Sequence, residues 1–247
     1  MTQKSNEKYY QKNEKYSNFL DNQDSQDFRK YIDHVLNLSK KNSHFLDVGC
    51  GTGVALNLLE QKIKCSGVEI SDTSIAKCLK KNLDCKKYDG KTLPFKNESF
   101  DIVGSFNVLE HTDKPLEFLT EQKRVLKKRG YLIVVCPNFL AVTNSYHYHT
   151  TGVKQKLSNL QETIRKLASS KIEIKKMETT DRENFQPDDD ACNITNPIDI
   201  IRWAKNNNLE LKDWSSRSTY TTGLANILDK PVLKMFAGSN FLIFEKT

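Results

Sequence analysis

Leu46-Asp47-Val48-Gly49-Cys50-Gly51-Thr52-Gly53 decides the reading of this chain, because it sets three glycines between an apolar run and a helical pattern. The residues from His44 to Val48 have strand character, and Val54 to Gln61, with Leu56, Leu58 and Leu59, repeats at helical spacing. A glycine-rich turn after a strand lets the backbone pass close to a ligand at the carboxyl edge of a sheet. Glu69 lies in the next strand, Cys65 to Ile70, where a carboxylate can accept hydrogen bonds from both hydroxyls of a ribose.

The alternation extends outward in both directions. Phe28, Tyr31, Ile32, Val35 and Leu36 mark one face of a helix ahead of the first strand. Ser71 is placed to cap a helix from Asp72 to Lys81, Cys85 to Asp89 reads as a third strand, and Phe100 to Asn107 as a fourth. Pro115 to Lys128 reads as a helix closed by Gly130, and Tyr131 to Cys136 as a fifth strand. Strands alternating with helices predict an α/β fold with a mostly parallel, doubly wound sheet. Beyond Pro137 the alternation breaks into a polar loop, a helix near Lys154 to Ala168 and an acidic turn, which reads as an insertion after the fifth strand. A helix from Pro197 to Asn206 and strands at Glu210 to Ser216 and Asn240 to Glu245 close the chain. The expected organisation is one domain over 1–247: an N-terminal flap and helix (1–43), a ligand-binding core (44–138), the insertion (139–196), and the last helix and closing strands (197–247).

Further motifs stand in register with the glycine turn: Asp89-Gly-Lys-Thr-Leu-Pro-Phe95, Ser99-Phe-Asp101, Asn107-Val-Leu-Glu-His111 and Gly130-Tyr-Leu. From Phe45 to Asn138 the sequence resembles the class I S-adenosylmethionine-dependent methyltransferases. That resemblance implies a Rossmann-like, seven-stranded sheet, mostly parallel with an antiparallel C-terminal hairpin. It also implies methyl transfer from S-adenosylmethionine, leaving S-adenosylhomocysteine. Carried over by position, Glu69 holds the ribose, Asp89 reaches the adenine amino group, and backbone around Gly49, Gly51 and Asn107 lines the methionine end, with Ile70 and Gly90 also in the cofactor set. Asp47, Cys50 and Gly53 complete the cofactor set, Gly53 being equally suited to helix packing. A dinucleotide fingerprint would ask for a third glycine at position 54, where this chain has Val. Asp47 would also face a pyrophosphate unfavourably, whereas S-adenosylmethionine is a sulfonium and an ammonium. A nicotinamide-dependent oxidoreductase is thereby the lesser reading, and a cofactor-binding regulator or assembly partner without turnover is the alternative from another class.

On the acceptor side the candidates are histidines. His111 follows the fourth strand, and a neutral imidazole there is able to take a proton from a hydroxyl, although the resemblance favours a Glu110-His111 pair that packs and hydrogen-bonds structurally. His147 and His149, in Tyr146-His147-Tyr148-His149, offer the same chemistry; their spacing suits opposite faces of a strand, so no metal site is assigned. Asp188-Asp189-Asp190, with Asn193 and Asn196, reads as a solvated turn, a hard cation being the second reading. The same segment is similar to the far part of bacterial methyltransferases of surface-glycan and secondary biosynthesis, which makes a sugar or glycan precursor one expected acceptor. Tyr9, Tyr10 and Tyr16 punctuate a polar N-terminal stretch read as a flap over the cofactor.

Composition narrows the partners. The 247 residues carry a formal charge of +7, spread along the chain rather than gathered in a stripe, so no nucleic-acid partner is expected. The longest apolar run, Tyr131 to Cys136, is far below the roughly 20 residues of a bilayer span. Met1 to Lys15 has no secretory-signal pattern, which points to the cytoplasm. Six cysteines without a CxxC pair read as reduced, packed thiols.

Overall fold

The computed structural model describes residues 20–21, 24–142, 152–178, 190–215, 236 and 238–247. The tyrosines at 9, 10 and 16, the Tyr146–His149 cluster with His147 and His149, and Asp188 and Asp189 lie outside the described residues.

In chain order the elements are α1 (Gln26–Leu38), β1 (His44–Val48), α2 (Val54–Leu59), β2 (Lys64–Glu69), α3 (Asp72–Lys80), β3 (Cys85–Lys87), β4 (Phe100–Phe106), a 3-10 turn (Leu109–His111), α4 (Pro115–Val125), β5 (Leu126–Pro137), α5 (Val153–Ala168), α6 (Pro197–Asn206), β6 (Leu209–Ser215) and β7 (Ser239–Lys246). The strands form a seven-stranded sheet in the order β3-β2-β1-β4-β5-β7-β6, mostly parallel with antiparallel C-terminal strands. β1 sits between β2 and β4, parallel to both: Asp47 is opposite Gly67 on one side and Gly104 on the other. That register brings the carboxyl ends of β1, β2 and β4 to one edge of the sheet.

The contacts divide the chain into two compact units. The first holds residues up to Val108, Thr112–Ile133 and Lys246; the second holds Leu109–His111, Val134–Glu245 and Thr247. In the first unit the side chain of Ser25 accepts the N–H of Phe28 and starts α1, which buries Phe28, Tyr31 and Val35. The ring of Phe28 meets Phe106 edge-on at 5.4 Å, and that of Tyr31 meets Phe45 at 6.2 Å. Ser71 caps α3 as its sequence indicates, accepting the N–H of Ser74. In the second unit Asn196 caps α6 by accepting the N–H of Asp199 at 3.0 Å, with Pro197 in the first turn. The buried Asp199 carboxylate is matched by Lys166 of α5, whose Nζ donates to it at 2.6 Å.

One boundary differs from the periodicity. The helix expected to run to Lys128 and stop at Gly130 ends at Val125, and β5 begins at Leu126. Leu126 is fully buried, while the N–H groups of Glu98 and Ser99 take the carbonyls of Arg124 and Val125. Gly130 serves close approach rather than helix termination: a Cβ there would lie 2.8 Å from the carbonyl oxygen of Asp101.

Gly104 is also a packing residue, because a Cβ on it would collide with the Tyr31 hydroxyl. Gly104→Ala is expected to destabilise the protein by about 1–3 kcal/mol, the scale of overpacking a filled core. Urea denaturation would measure this, and the Gly104→Ala/Tyr31→Phe double variant should show a coupling between the two sites. Strictly additive losses would mean that the two residues do not share the space.

Candidate active site

At the end of β1 the chain turns through Gly49, Gly51 and Gly53, all with positive φ (78°, 54° and 79°). The N–H groups of Gly49 and Cys50 donate to the carbonyl of Val68, and Gly53 N–H donates to that of Cys50, so the turn folds over the end of β2. Beside it lies Glu69, buried at the end of β2. Its Oε2 accepts the N–H of Gly51 at 2.9 Å, and its Oε1 accepts those of Ile70 at 2.7 Å and Ser71 at 2.9 Å. Burial raises the Glu69 pKa above the ordinary glutamate value, and these three donors oppose the rise. A carboxylate has about four acceptor sites, so it keeps capacity for a ligand hydroxyl.

The neighbouring pieces converge on the same edge. Val108, following Asn107, packs on Gly49 so closely that a Cβ at 49 would come within 2.6 Å of its Cγ2. Asn107 itself is exposed and holds a φ of 53°. Gly90, φ 75°, opens towards Ile70, whose Cγ2 lies 3.7 Å from the position of an added Cβ. Asp89 is exposed and accepts the N–H groups of Thr92 at 2.7 Å and Lys91 at 2.9 Å. The Thr92 N–H above all holds its carboxyl below the usual range, so it faces solvent ionised. Leu20 covers Gly51, with Cδ1 2.9 Å from an added Cβ, and Asp21 pairs with Lys77 at 2.6 Å and Lys81 at 3.5 Å.

Two predicted residues stand apart from the open edge. Asp47 is buried beneath α1, where the Tyr31 hydroxyl donates to its Oδ1 at 2.8 Å. Burial pushes its pKa up to about 7, with the Tyr31 hydrogen bond acting the other way and the Cys78 and Glu69 charges adding to the rise. Gly53 is a packing glycine, since a Cβ there would meet Leu83 at 2.5 Å and the Cys78 sulfur at 3.0 Å. Cys50, between the other two turn glycines, points inward and is buried.

The second unit holds His111. Its Nδ1 is 3.3 Å from Asp190 Oδ2 and its Nε2 3.8 Å from Glu110 Oε1, with Glu110 fully buried. Burial lowers the imidazole pKa to about 4 against a backbone hydrogen bond at Asp190, and burial raises Asp190 to about 6. The turn carrying His111 is fastened by the segment after Asp190: the N–H groups of Cys192 and Asn193 donate to the Glu110 carbonyl at 2.9 and 3.1 Å, and Asn193 Nδ2 reaches the Leu109 carbonyl at 3.2 Å. The acidic stretch therefore differs from a solvated turn at its last residue. Asp190 is buried because it packs against His111, 79 positions earlier in the chain, a proximity that local spacing does not report.

The chain is similar to known proteins in sequence and in fold. Residues 46–134 match the family model of a methyltransferase domain. An uncharacterized protein of Methanocaldococcus jannaschii is 33% identical over 138 residues, covering 49% of this chain and 60% of that protein. A phosphatidylethanolamine N-methyltransferase of Cereibacter sphaeroides is 25% identical over 115 residues, 43% of this chain and 55% of that one. The chain thus spans less than two thirds of these curated relatives. A SAM dependent methyltransferase from Aquifex aeolicus shares the fold, with a TM-score of 0.54 at 13% identity over 94% of this chain and 98% of its own. No helix among the described residues is long and apolar enough to cross a membrane.

Asp47 makes the ligand-free protein pH-sensitive. Its folded pKa of about 7 stands above the ordinary 3.8, so its protonated form favours the native state. That contribution is complete below the unfolded pKa and is lost as pH rises through the folded one. Between about pH 4 and 7 the melting temperature of the wild type should therefore fall relative to that of Asp47→Asn, which lacks the titration. Thermal melts across that window check this; parallel curves would show that Asp47 ionises in the folded protein as it does in water.

Proposed function

We propose that this chain, whose residues 46–134 match the family model of a methyltransferase domain, is an S-adenosylmethionine-dependent methyltransferase acting on a small or medium-sized acceptor. The observation that carries the reading is the buried Glu69 carboxylate tied to the Gly51 N–H, which sets a hydroxyl acceptor against a glycine turn at the carboxyl edge of a parallel sheet. The residues fit the cofactor. Glu69 retains acceptor capacity for the ribose, the ionised and exposed Asp89 suits the adenine amino group, and the backbone at Gly49, Gly51 and Asn107 suits the methionine end. Cys50 and Gly53 support this turn from within, Ile70 and Gly90 flank the adenosine side, and the buried Asp47 carboxyl stands behind it.

The cofactor supplies an electrophilic methyl on a sulfonium, so the protein's task is to exclude water and align the acceptor's lone pair. For a hydroxyl acceptor a proton must leave, and His111 with Asp190 is the pair assigned to that role. His111 is neutral at pH 7, and Asp190, with the higher pKa, is the stronger resting proton acceptor of the two. An amine entering neutral needs less help. The likeness to a phosphatidylethanolamine N-methyltransferase supports an amine as the first acceptor to test, with sugar and glycan precursors as a second arm.

Calorimetry with S-adenosylhomocysteine tests the cofactor reading. Glu69→Ala should weaken binding by about 1.5–3 kcal/mol, the scale for charge-assisted hydrogen bonds, and should also lower the melting temperature because Gly51, Ile70 and Ser71 lose their acceptor. Native affinity in that variant would place the ribose elsewhere. Transfer of labelled methyl to fractionated amines, hydroxyl compounds and glycans tests turnover, and binding without any labelling would favour the regulator. With a hydroxyl acceptor, His111→Ala should lower kcat by about 10²–10⁴-fold with KM little changed. An unchanged kcat would reduce His111 to a packing role.

A further inference from the structure

Three of the six cysteines, carried by three different elements, meet inside the first unit: Cys50 of the glycine turn, Cys78 of α3 and Cys85 at the start of β3. Their sulfur atoms all lie within 4.8 Å of one another, and those of Cys50 and Cys85 are 3.3 Å apart. All three are buried, walled by Leu56 and Leu83.

Two glycines make the meeting possible. Gly67 of β2 stands opposite Cys85 in the sheet, and a Cβ on it would lie 2.7 Å from the Cys50 sulfur. Gly53 does the same on the other side, where a Cβ would lie 3.0 Å from the Cys78 sulfur. Thiols delivered from a turn, a helix and a strand thus share one small space.

The spacing matches coordination of a single ion. Sulfur atoms bound at about 2.3 Å stand roughly 4 Å apart around a trigonal centre, inside the 4.8 Å limit seen here. Among the described residues no imidazole or carboxylate joins the three sulfurs as a fourth ligand. Structural zinc takes four ligands and hard cations take oxygen, whereas thiolates in a dry, three-coordinate site select a soft monovalent ion. Lys81, whose Nζ donates to the carbonyl of Thr52 at 3.1 Å, places a positive charge near the cluster and offsets part of the thiolate charge.

We propose that Cys50, Cys78 and Cys85 form a trigonal thiolate site for monovalent copper beneath the glycine turn. Binding forms three sulfur–copper bonds, the thiol protons pass to solvent, and no electron is transferred. Cys50 also belongs to the glycine turn of the methyltransferase reading, but the test reads copper binding alone, so failure of that reading and failure of this site are distinguishable.

The test is an anaerobic titration of the full chain with monovalent copper buffered by bicinchoninate, followed by X-ray absorption of the loaded protein. One ion per chain with three sulfur neighbours is expected. Cys78→Ser and Cys85→Ser should each weaken binding by about 100-fold or more, while Cys65→Ser and Cys192→Ser, which lie outside the cluster, should not change it. Alanine variants at 78 and 85 replace the serine ones should those melt abnormally. Copper left wholly with bicinchoninate, oxygen or nitrogen among the first neighbours, or full binding in a folded Cys78/Cys85 double variant would overturn the proposal.

Discussion

The first unit is organised around a carboxylate that accepts hydrogen bonds from two strand ends at once. Glu69 closes β2, yet one of its oxygens takes the N–H of Gly51 in the turn that follows β1. Its other oxygen takes the first N–H groups beyond its own strand, at Ile70 and Ser71. A buried charge is costly unless it is met by donors, and here the donors are backbone groups that would otherwise be orphaned where the chain leaves the sheet. The glycine turn is therefore held in shape before any ligand arrives. Preorganisation of this kind leaves less of the binding energy to be spent on ordering the loop.

The second unit solves a similar problem with different groups. The Leu109–His111 turn has carbonyls that no helix continues to satisfy, and Cys192 and Asn193 supply the missing donors from a segment 82 to 84 positions further along. That fastening is what buries Asp190 beside His111. Burial then moves the two groups in opposite directions, the imidazole down to about 4 and the carboxylic acid up to about 6, because both charged forms are disfavoured away from water. At pH 7 the histidine is therefore neutral and weakly basic, and the carboxylate is mostly ionised.

Local signals made most of the fold legible in the sequence. Helix α1 followed from Phe28, Tyr31 and Val35, α3 from the Ser71 cap, and the parallel sheet from the strand–helix alternation. The glycine turn and Glu69 were legible for the same reason, since each sits at a predictable strand end. What spacing did not report was proximity created by the sheet. The partnership of Asp190 with His111, the meeting of Cys50 with Cys78 and Cys85, and the fit of Tyr31 under Gly104 all join residues at least 28 positions apart. Gly130 misled because a glycine after a helical run has two uses, termination and close approach, and only the tertiary environment separates them.

The turn glycines divide by environment, and that division bears on what the edge can bind. Gly53, like Gly67 in β2, faces the interior, where an added methyl group would meet Leu83 or Cys50. Among the described residues, the atoms nearest an added Cβ at Gly51 belong to the side chain of Leu20, from the segment that precedes α1. The space an added Cβ would take at Gly53 is thus filled by core side chains, whereas at Gly51 it meets the far end of one flexible side chain. Behind that position stand two buried carboxylates, Asp47 and Glu69, each pushed upward by burial and Asp47 also by the Glu69 charge. A pyrophosphate there would raise both pKa values further and bind against them. A sulfonium or ammonium would lower them and be held by the ionised forms, so the electrostatics of the turn select for a cation.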